Sequence, residues 1–297
     1  MLEPADFRVY AEYYRHQPHE LCEFCLATLI VWANDEYRPK IGTDGRHVFI
    51  AGEFYHTREL NHLMLPVGPG PEYTPAELAR LADRLGYTAF WFVPDSYIER
   101  HGHATVAALF TVSEQTAYAD YVYRTRDLAE LAGNRYAKKR NLINQFLASG
   151  PDLSFDSISP ANSGECLDFL AEWCRSRDCD EGLEDSLTCE RLAAEKMLRH
   201  IDMFDARGLL LRIDGKLCAF AVGSPLTDDM WVLQFQKASE QIKGLYQYFD
   251  RECARRLFPA GTVYINKESD MDNPNLAKSK KSYHPCRRVR SFQLQLR

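Results

Sequence analysis

The chain has 297 residues, with 36 lysine and arginine side chains against 42 aspartate and glutamate, which gives a net charge of −6. Hydrophobic residues make up 45% and charged residues 26%. This composition is ordinary for a globular protein and excludes the disordered and collagen-like classes. The acidic balance argues against a uniformly basic nucleic-acid-coating surface, so no DNA partner is expected.

The N-terminal segment and the cysteines bear on location. Residues 1–10 contain three charged side chains and no apolar core, so no secretory signal is expected. The longest apolar stretch, near residues 26–33, is too short to cross a bilayer. Nine scattered cysteines, an odd number, favour reduced thiols. We therefore predict a cytoplasmic protein without a transmembrane segment, with peripheral contact to a membrane left open.

A lone C-x-x-C pair, Cys22 and Cys25, lies among apolar residues. It has no second pair at zinc-ribbon spacing, which favours thiols on a helix face over a metal or redox site. His101 and His103 are spaced like metal ligands, but no third ligand is evident nearby. No metal is predicted.

The first half reads as a mixture of strands and helices. Strands are predicted at residues 47–50, 62–67 and 88–93. Thr74 and Glu77 form a capping box around Pro75, which begins a helix that Gly86 ends. Residues 104–112 fit either a strand or a short helix. Residues 127–146 read as a helical region broken near Gly133.

The second half has a clearer pattern. A Gly-Pro-Asp turn at residues 150–152 is the predicted domain boundary, dividing the chain into 1–150 and 151–297. An Asp-Gly pair at 214–215 between two apolar runs predicts a hairpin. The predicted order from residue 153 is β-α-α-β-β-β-α-β-α-β. This order resembles the N-acetyltransferase-like (GNAT) fold, and the whole chain is expected to be α+β.

Three segments could bind an anionic or acyl-bearing ligand. The first follows the strand predicted at 230–235, where acetyltransferases hold the CoA pyrophosphate on a glycine loop at a helix N-terminus. Lys243 and Gly244 fit such a loop, but Tyr246 stands where a small residue is expected and weakens the CoA interpretation. A simple turn is the alternative.

The second segment is the polar run that follows the apolar strand predicted at 262–266. Glu268 or Asp270 could act as a base, Lys267 could hold a carboxylate or phosphate, and Asn266 could contact substrate. A solvated loop that caps the next helix is the alternative.

Clusters of cations form the third group. Residues 273–297 hold seven basic side chains and no acid. Lys278 and Lys281 share a helix face, and Ser282, Tyr283 and His284 follow them. This cluster could clamp a phosphate, or it could be a solvated face.

The stretch 135–141 carries further cations, Lys139 and Arg140 among them. It could meet tRNA or a lipid headgroup, or likewise remain a solvated face.

Several of these motifs occur together in one family. The stretches at 135–146, 243–247, 264–270 and 278–285 resemble the bacterial family related to the C-terminal domain of phosphatidylglycerol lysyltransferases. The most specific are the Ile-Asn-(basic)-Glu-x-Asp and Lys-x-Ser-Tyr-His-Pro motifs. The resemblance implies two tandem acetyltransferase-like (GNAT) domains, each a mixed, mainly antiparallel sheet flanked by helices. It also implies a relation to Fem-type aminoacyltransferases.

Three functions remain open. The resemblance favours transfer of an aminoacyl group from aminoacyl-tRNA to an amine or hydroxyl of a small molecule or lipid headgroup, in a cleft between the domains. A CoA-dependent N-acyltransferase would use acyl-CoA as donor instead. A non-catalytic module would use the basic residues to bind an anionic ligand. No cofactor beyond the donor substrate is expected.

Overall fold

The computed structural model describes residues 2–175 and 185–297, and the side chains of residues 185–189 are not described. The elements up to residue 148 are α1 (Phe7–Tyr14), α2 (Leu26–Trp32), β1 (Lys40–Thr43), β2 (Val48–Gly52), β3 (His62–Leu63), α3 (Pro75–Leu85), β4 (Ala89–Pro94), α4 (Asp95–His101), α5 (His103–Ala107), β5 (Phe110–Glu114), β6 (Asp120–Arg124), α6 (Thr125–Glu130) and α7 (Ala137–Ala148).

The elements that follow are β7 (Leu153–Ser157), α8 (Ser163–Arg175), α9 (Asp185–Arg199), β8 (Arg207–Ile213), β9 (Lys216–Pro225), β10 (Met230–Ala238), α10 (Leu245–Arg256), β11 (Tyr264–Asn266), α11 (Pro274–Lys281), β12 (Arg287–Val289) and β13 (Ser291–Leu296). Short 3₁₀ turns, including Cys22–Phe24, connect several of them. The predicted element order after residue 153 is confirmed, except that the last predicted strand is divided into β12 and β13 at Arg290.

Local sequence signals account for many element ends. The Thr74–Glu77 capping box at the start of α3 is confirmed, and Gly86 ends the helix in a left-handed conformation with φ +74°. Asp214 and Gly215 both have positive φ in the tight turn between antiparallel β8 and β9. The ambiguous stretch at 104–112 contains both options, since α5 is followed directly by β5.

The strands form two sheets of similar design. One has six strands in the order β1-β2-β3-β4-β13-β5, and the other has seven in the order β12-β6-β11-β10-β9-β8-β7. Each sheet contains one parallel pair, β3 with β4 and β10 with β11, and a helix links the two strands of each pair. All other pairs are antiparallel. The predicted α+β class with two mixed, mainly antiparallel sheets is confirmed.

The two sheets exchange strands. β6, from the first half of the chain, pairs between β11 and β12, while β13, from the end of the chain, pairs between β4 and β5. The predicted boundary at residue 150 therefore falls between elements that belong to the same sheet. The division into 1–150 and 151–297 stays a prediction.

The hydrophobic core follows this arrangement. On one face of the seven-stranded sheet, α6, α7 and α10 enclose a cluster that includes Tyr123, Phe146 and Phe249. The other face belongs to a larger cluster that continues through α8, α9 and α2 into the six-stranded sheet. Because apolar side chains fill the junction, the two sheets form one packed body with the end of β11 at their border.

Candidate functional site

The polar run predicted as a site begins where β11 ends. β11 lies between β6 and β10, and Asn266 is its last residue. Asn266 is fully buried, and its side-chain amide donates to Asp120 Oδ2 at 2.7 Å and to the Glu20 carbonyl at 2.8 Å. The backbone N–H of Cys22 donates to the same Asp120 oxygen at 2.7 Å. These bonds join both halves of the chain at this point.

Glu268 leaves the strand in a left-handed backbone conformation, with φ +58°. This conformation is uncommon for a residue with a side chain and is held by bonds on both sides. The Glu268 N–H donates to Asn266 Oδ1 at 2.6 Å, and its carbonyl accepts from the Tyr121 N–H at 3.2 Å. Within the described part of the chain, no hydrogen bond joins the Glu268 carboxylate to another group.

The surroundings of Glu268 favour its protonated form. Burial raises the pKa of Glu268 to about 8, Lys280 opposes this rise, and the Asp120 carboxylate adds to it. A carboxylate with a pKa close to neutrality and no hydrogen-bond partner can take up and release a proton under ordinary conditions. Glu268 is the predicted site residue whose environment best fits acid–base chemistry.

Lys280 holds the turn that carries Glu268. Its ammonium donates to the carbonyls of Lys267, Glu268 and Ser269 at 2.6, 3.2 and 2.5 Å. Burial lowers the pKa of Lys280. The sequence pattern pointed to its neighbours Lys278 and Lys281 instead. The helical phase of α11 could have identified Lys280, because Lys280 lies one turn beyond Ala277 on the half-buried side.

Glu23 is a further residue of the site, and no motif in the sequence points to it. Its Oε2 atom is buried and finds no hydrogen-bond partner in the described ranges 2–175 and 185–297, and burial together with the Asp120 carboxylate raises the pKa of Glu23 well above its usual value. The side chains of Cys22, Glu23 and Asp120 place ligand-type atoms within 4.8 Å of one another. Because Asp120 already accepts bonds from Cys22 and Asn266, we interpret this group as a hydrogen-bonded acidic cluster rather than a metal centre.

Lys237, near the end of β10, also acts on Glu268. It forms an ion pair with Glu190 at 2.8 Å, and its ammonium lies 4.3 Å from the centre of the Trp173 ring. The negative charge of Glu190 raises the pKa of Glu268, and the positive charge of Lys237 partly offsets this effect. Lys237 is buried between its two partners, Glu190 and Trp173.

Lys267, which is predicted to hold a carboxylate or phosphate of the substrate, points to a different cluster. Its ammonium pairs with the buried Asp250 carboxylate at 2.5 Å and lies 5.2 Å from the centre of the Tyr283 ring. The Lys139 ammonium stacks on the same ring at 3.8 Å and donates to Ser282 Oγ at 2.7 Å. Lys139, Ser282 and Tyr283 thus tie α7 to the end of α11.

Asp270 is also engaged within the protein. The Tyr121 hydroxyl donates to its carboxylate at 2.5 Å, and Arg288 approaches the same oxygen to 3.9 Å. Asp270 and Arg288, with Lys281, line a surface depression of about 220 Å³. Asp270 therefore has other charged neighbours than Glu268, which lies close to Asp120, Lys280 and Lys237.

The predicted phosphate loop is closed on one side by a neighbouring helix. Gly244 has φ +86°, and a Cβ at this position would lie 2.3 Å from the Leu142 carbonyl oxygen of α7. Its lack of a side chain therefore permits close packing of α10 on α7. Tyr246 is half-buried against the same core, and Lys243 is exposed.

The other predicted cations divide into two groups. Arg140 donates to the carbonyls of Leu131 and Gly133 at 2.5 and 2.6 Å, so it closes the end of α6. Lys278 and Lys281 are exposed on α11.

The two helix-linked parallel pairs and the polar end of β11 define an acetyltransferase-like α+β protein. The chain matches the family described as "Phosphatidylglycerol lysyltransferase, C-terminal" over residues 18–293, and it belongs to that family. The resemblance expected from the sequence motifs is confirmed. No curated protein shows a significant match.

Two solved structures share the fold of this chain. A conserved protein of unknown function from Bacteroides thetaiotaomicron VPI-5482 is 28% identical, with a TM-score of 0.89 over 100% of this chain and 98% of that one. The L-PGS structure from Bacillus licheniformis is 15% identical, with a TM-score of 0.65 over 99% of this chain and 93% of that one, and shows the same fold. Among the described residues, no helix has the length and apolar character that a membrane span requires.

Proposed function

We propose that this protein is an acyltransferase that moves an aminoacyl group from aminoacyl-tRNA to an amine or hydroxyl, with Glu268 as general base. The observation that carries the proposal is the Glu268 carboxylate at the junction of the two sheets, which has no hydrogen-bond partner among the described residues and has its pKa raised to about 8. The family described above supports the reaction class.

The chemistry that we propose needs little beyond positioning and proton transfer, because the ester of an aminoacyl-tRNA is already activated. The acceptor nitrogen or oxygen attacks the ester carbonyl while its proton passes to the Glu268 carboxylate. The tetrahedral intermediate then collapses, and the bond to the terminal ribose oxygen breaks. That oxygen takes up the proton, which regenerates the Glu268 carboxylate.

Transfer from acyl-CoA is the second candidate, and the geometry near α10 argues against it. The Cα of Gly244 faces the Leu142 carbonyl of α7, and Tyr246 occupies the position of a small residue. A pyrophosphate that approached the N–H groups of α10 from this side would meet α7. A binding module without catalysis is the third candidate. Turnover of either donor would exclude it.

The test is discharge of radiolabelled aminoacyl-tRNA in the presence of phosphatidylglycerol vesicles or small amines as acceptors. We expect Glu268→Gln to lower the rate by about 100-fold or more. Asp95→Asn is the matched control, because Asp95 directly follows β4 in the same way as the polar run follows β11. The discharge rate of this variant should stay within about twofold of the wild-type rate. Equal rates for Glu268→Gln and the wild type would remove Glu268 from the mechanism. Saturable turnover of acetyl-CoA without tRNA discharge would favour the second candidate.

A further inference from the structure

Asn266 is fully buried, and both polar atoms of its side-chain amide are hydrogen-bonded. Its Nδ2 atom donates to Asp120 Oδ2 at 2.7 Å and to the Glu20 carbonyl at 2.8 Å, and its Oδ1 atom accepts from the Glu268 N–H at 2.6 Å. The reversed amide would place its oxygen against two oxygens and its NH₂ group against an N–H. These bonds therefore fix one orientation of the amide.

The segment after Asn266 departs from regular β pairing. The Lys267 N–H donates to the Tyr121 carbonyl at 2.9 Å, and the Tyr121 N–H donates to the Glu268 carbonyl at 3.2 Å. Two successive residues thus lie opposite one residue of β6, which is the arrangement of a β-bulge. Glu268 has φ +58° there, a conformation that a residue with a side chain rarely adopts. Bulges of this kind redirect the side chains that follow a strand.

The Asn266 side chain supports this conformation. The Tyr121 carbonyl already accepts from Lys267, and the Glu268 N–H donates to Asn266 Oδ1 instead. An asparagine that accepts from the N–H two residues further on forms an Asx turn, which tolerates a left-handed backbone. Lys280 donates to the carbonyls of the same turn, but an ammonium group has no acceptor to offer an N–H.

The NH₂ group of Asn266 is anchored to other parts of the chain. Asp120 begins β6 and also accepts from the Cys22 N–H at 2.7 Å. Glu20, which supplies the second acceptor, lies just before Cys22. A carboxylate in place of the Asn266 amide would face the Asp120 carboxylate and the Glu20 carbonyl without a proton to donate. The amide therefore connects the turn to a fixed, buried frame.

From these observations we infer that Asn266 is a positioning residue, which holds the backbone of Glu268 in the left-handed turn and so directs the Glu268 carboxylate to the junction of the two sheets. The inference rests on the proposed function, because it concerns the group that we propose takes up the proton. It assigns Asn266 to positioning rather than to contact with substrate. Loss of the Asn266 amide should thus affect kcat and the titration of Glu268 more than KM.

The experiment compares Asn266→Ala and Asn266→Asp with a matched control, Gln17→Ala. Gln17 is also a buried amide, and its Nε2 atom donates to the carbonyls of His19 and Leu226. Its Oε1 atom accepts from the His19 N–H. Gln17→Ala therefore removes the same kinds of hydrogen bond from a different set of partners.

The first measurement is the titration of Glu268 in the full chain, followed by NMR with ¹³C label at the glutamate carboxyl groups. Glu268→Gln identifies the signal. Asn266→Ala frees the turn, so the Glu268 carboxylate gains contact with water and its pKa, about 8 in the wild type, should fall by at least about half a pH unit. Asn266→Asp adds a negative charge beside Asp120 and should raise the pKa of Glu268. Gln17→Ala should leave this pKa within about 0.2 pH units of the wild-type value.

The second measurement is discharge of aminoacyl-tRNA. Asn266→Ala should lower kcat by about 30-fold or more and leave KM within about threefold, because a displacement of about 1 Å can cause a loss of this size. Gln17→Ala should keep kcat within about twofold of the wild-type value at a similar loss of Tm. This control separates positioning from a general loss of stability.

A wild-type pKa of Glu268 in both Asn266 variants would overturn the inference, and so would equal shifts in Asn266→Ala and Gln17→Ala. If Asn266→Ala does not fold, Asn266→Asp decides, and the absence of an upward shift would overturn the inference. The titration needs no donor, so it is independent of the proposed function. Shifted pKa values together with wild-type discharge by Glu268→Gln would support the role of Asn266 and contradict the proposed function. Lost discharge in Glu268→Gln, with wild-type rates and pKa values in both Asn266 variants, would do the reverse.

Discussion

The two sheets share a design but differ at the end of the second strand of the parallel pair. In the six-stranded sheet, β4 ends in the buried Val93 and Pro94, and Asp95 begins α4, where its carboxylate accepts from the Ser96 N–H at 2.9 Å. In the seven-stranded sheet, β11 runs into the polar stretch that carries Glu268. In one half the strand is thus followed by a carboxylate that accepts from the next N–H, and in the other by a carboxylate that has no hydrogen-bond partner among the described residues. The difference shows that the candidate chemistry resides in a few residues rather than in the fold.

The second sheet nevertheless depends on the first half of the chain. Asp120 begins β6, the strand that the first half contributes to the seven-stranded sheet, and it pairs there with Val289 of β12. Its carboxylate contacts both Cys22 and Asn266. Strand exchange therefore delivers one of the acidic groups that set the pKa of Glu268.

The largest expected effect on stability comes from the glycines that flank the two linking helices. Gly244→Ala would force a side chain into a left-handed conformation and against the Leu142 carbonyl, 2.3 Å away. We expect a loss of about 3 kcal/mol in the free energy of unfolding, from the combined backbone strain and overpacking. Gly86→Ala is the counterpart at the end of α3. There φ is +74°, but an added Cβ would meet no non-neighbouring described atom within 4 Å. It should cost about 1 kcal/mol.

Urea denaturation of both variants measures this difference. Equal losses in the free energy of unfolding would mean that α7 does not pack closely against Gly244. A CoA pyrophosphate would then have room at the start of α10. Tight binding of acetyl-CoA to the wild type would contradict the argument against a CoA donor directly.

Local signals in the sequence predicted much of the fold, and non-local pairing explains the rest. The Thr74 capping box and the Asp214-Gly215 turn depend on adjacent residues, so they are readable without a structure. The exchange of β6 and β13 depends on pairing between residues more than a hundred positions apart, which no local pattern records.

The same distinction holds for the candidate site. Glu268 was found because an apolar strand ends in a polar run. Glu23 and Asp120 come from segments far from Glu268 in sequence, and Glu23 lies within the Cys22–Cys25 pair that suggested a helix face. Their contribution becomes visible only when the two sheets meet.

The second prediction concerns pH. Glu268 must be ionised to accept a proton, so the transfer rate should rise as pH increases through the pKa of Glu268, about 8. The Asp120 carboxylate raises that pKa by repulsion. Asp120→Asn removes the repulsion, so the rising limb of the rate profile should move to lower pH. Asparagine keeps one oxygen for the Cys22 N–H and the Asn266 amide, but it lacks the charge that strengthens both bonds, so the variant should also lose about 1 kcal/mol of stability.

Lys237→Met is the matched variant of opposite sign. The positive charge of Lys237 lowers the pKa of Glu268, so its removal should move the limb to higher pH. The midpoint of the profile, measured from transfer rates between pH 5 and pH 10, is the quantity to compare. Shifts of both variants in the same direction would show that the profile reports a group other than Glu268.

The smallest expected difference in stability is between two variants that each remove one buried tyrosine hydroxyl, one in each half of the chain. The Tyr121 hydroxyl donates to the Asp270 carboxylate at 2.5 Å, whereas the Tyr97 hydroxyl donates to the Tyr73 carbonyl at 2.8 Å. A bond to a charged acceptor contributes more than one to a neutral carbonyl. Tyr121→Phe should therefore cost about 1.5 kcal/mol in urea denaturation, and Tyr97→Phe about 1 kcal/mol. Because we assign Asp270 to packing rather than to proton transfer, Tyr121→Phe should keep the wild-type pH midpoint. A shifted midpoint would bring Asp270 back into the mechanism, since loss of the Tyr121 bond would then have altered a group that the reaction uses.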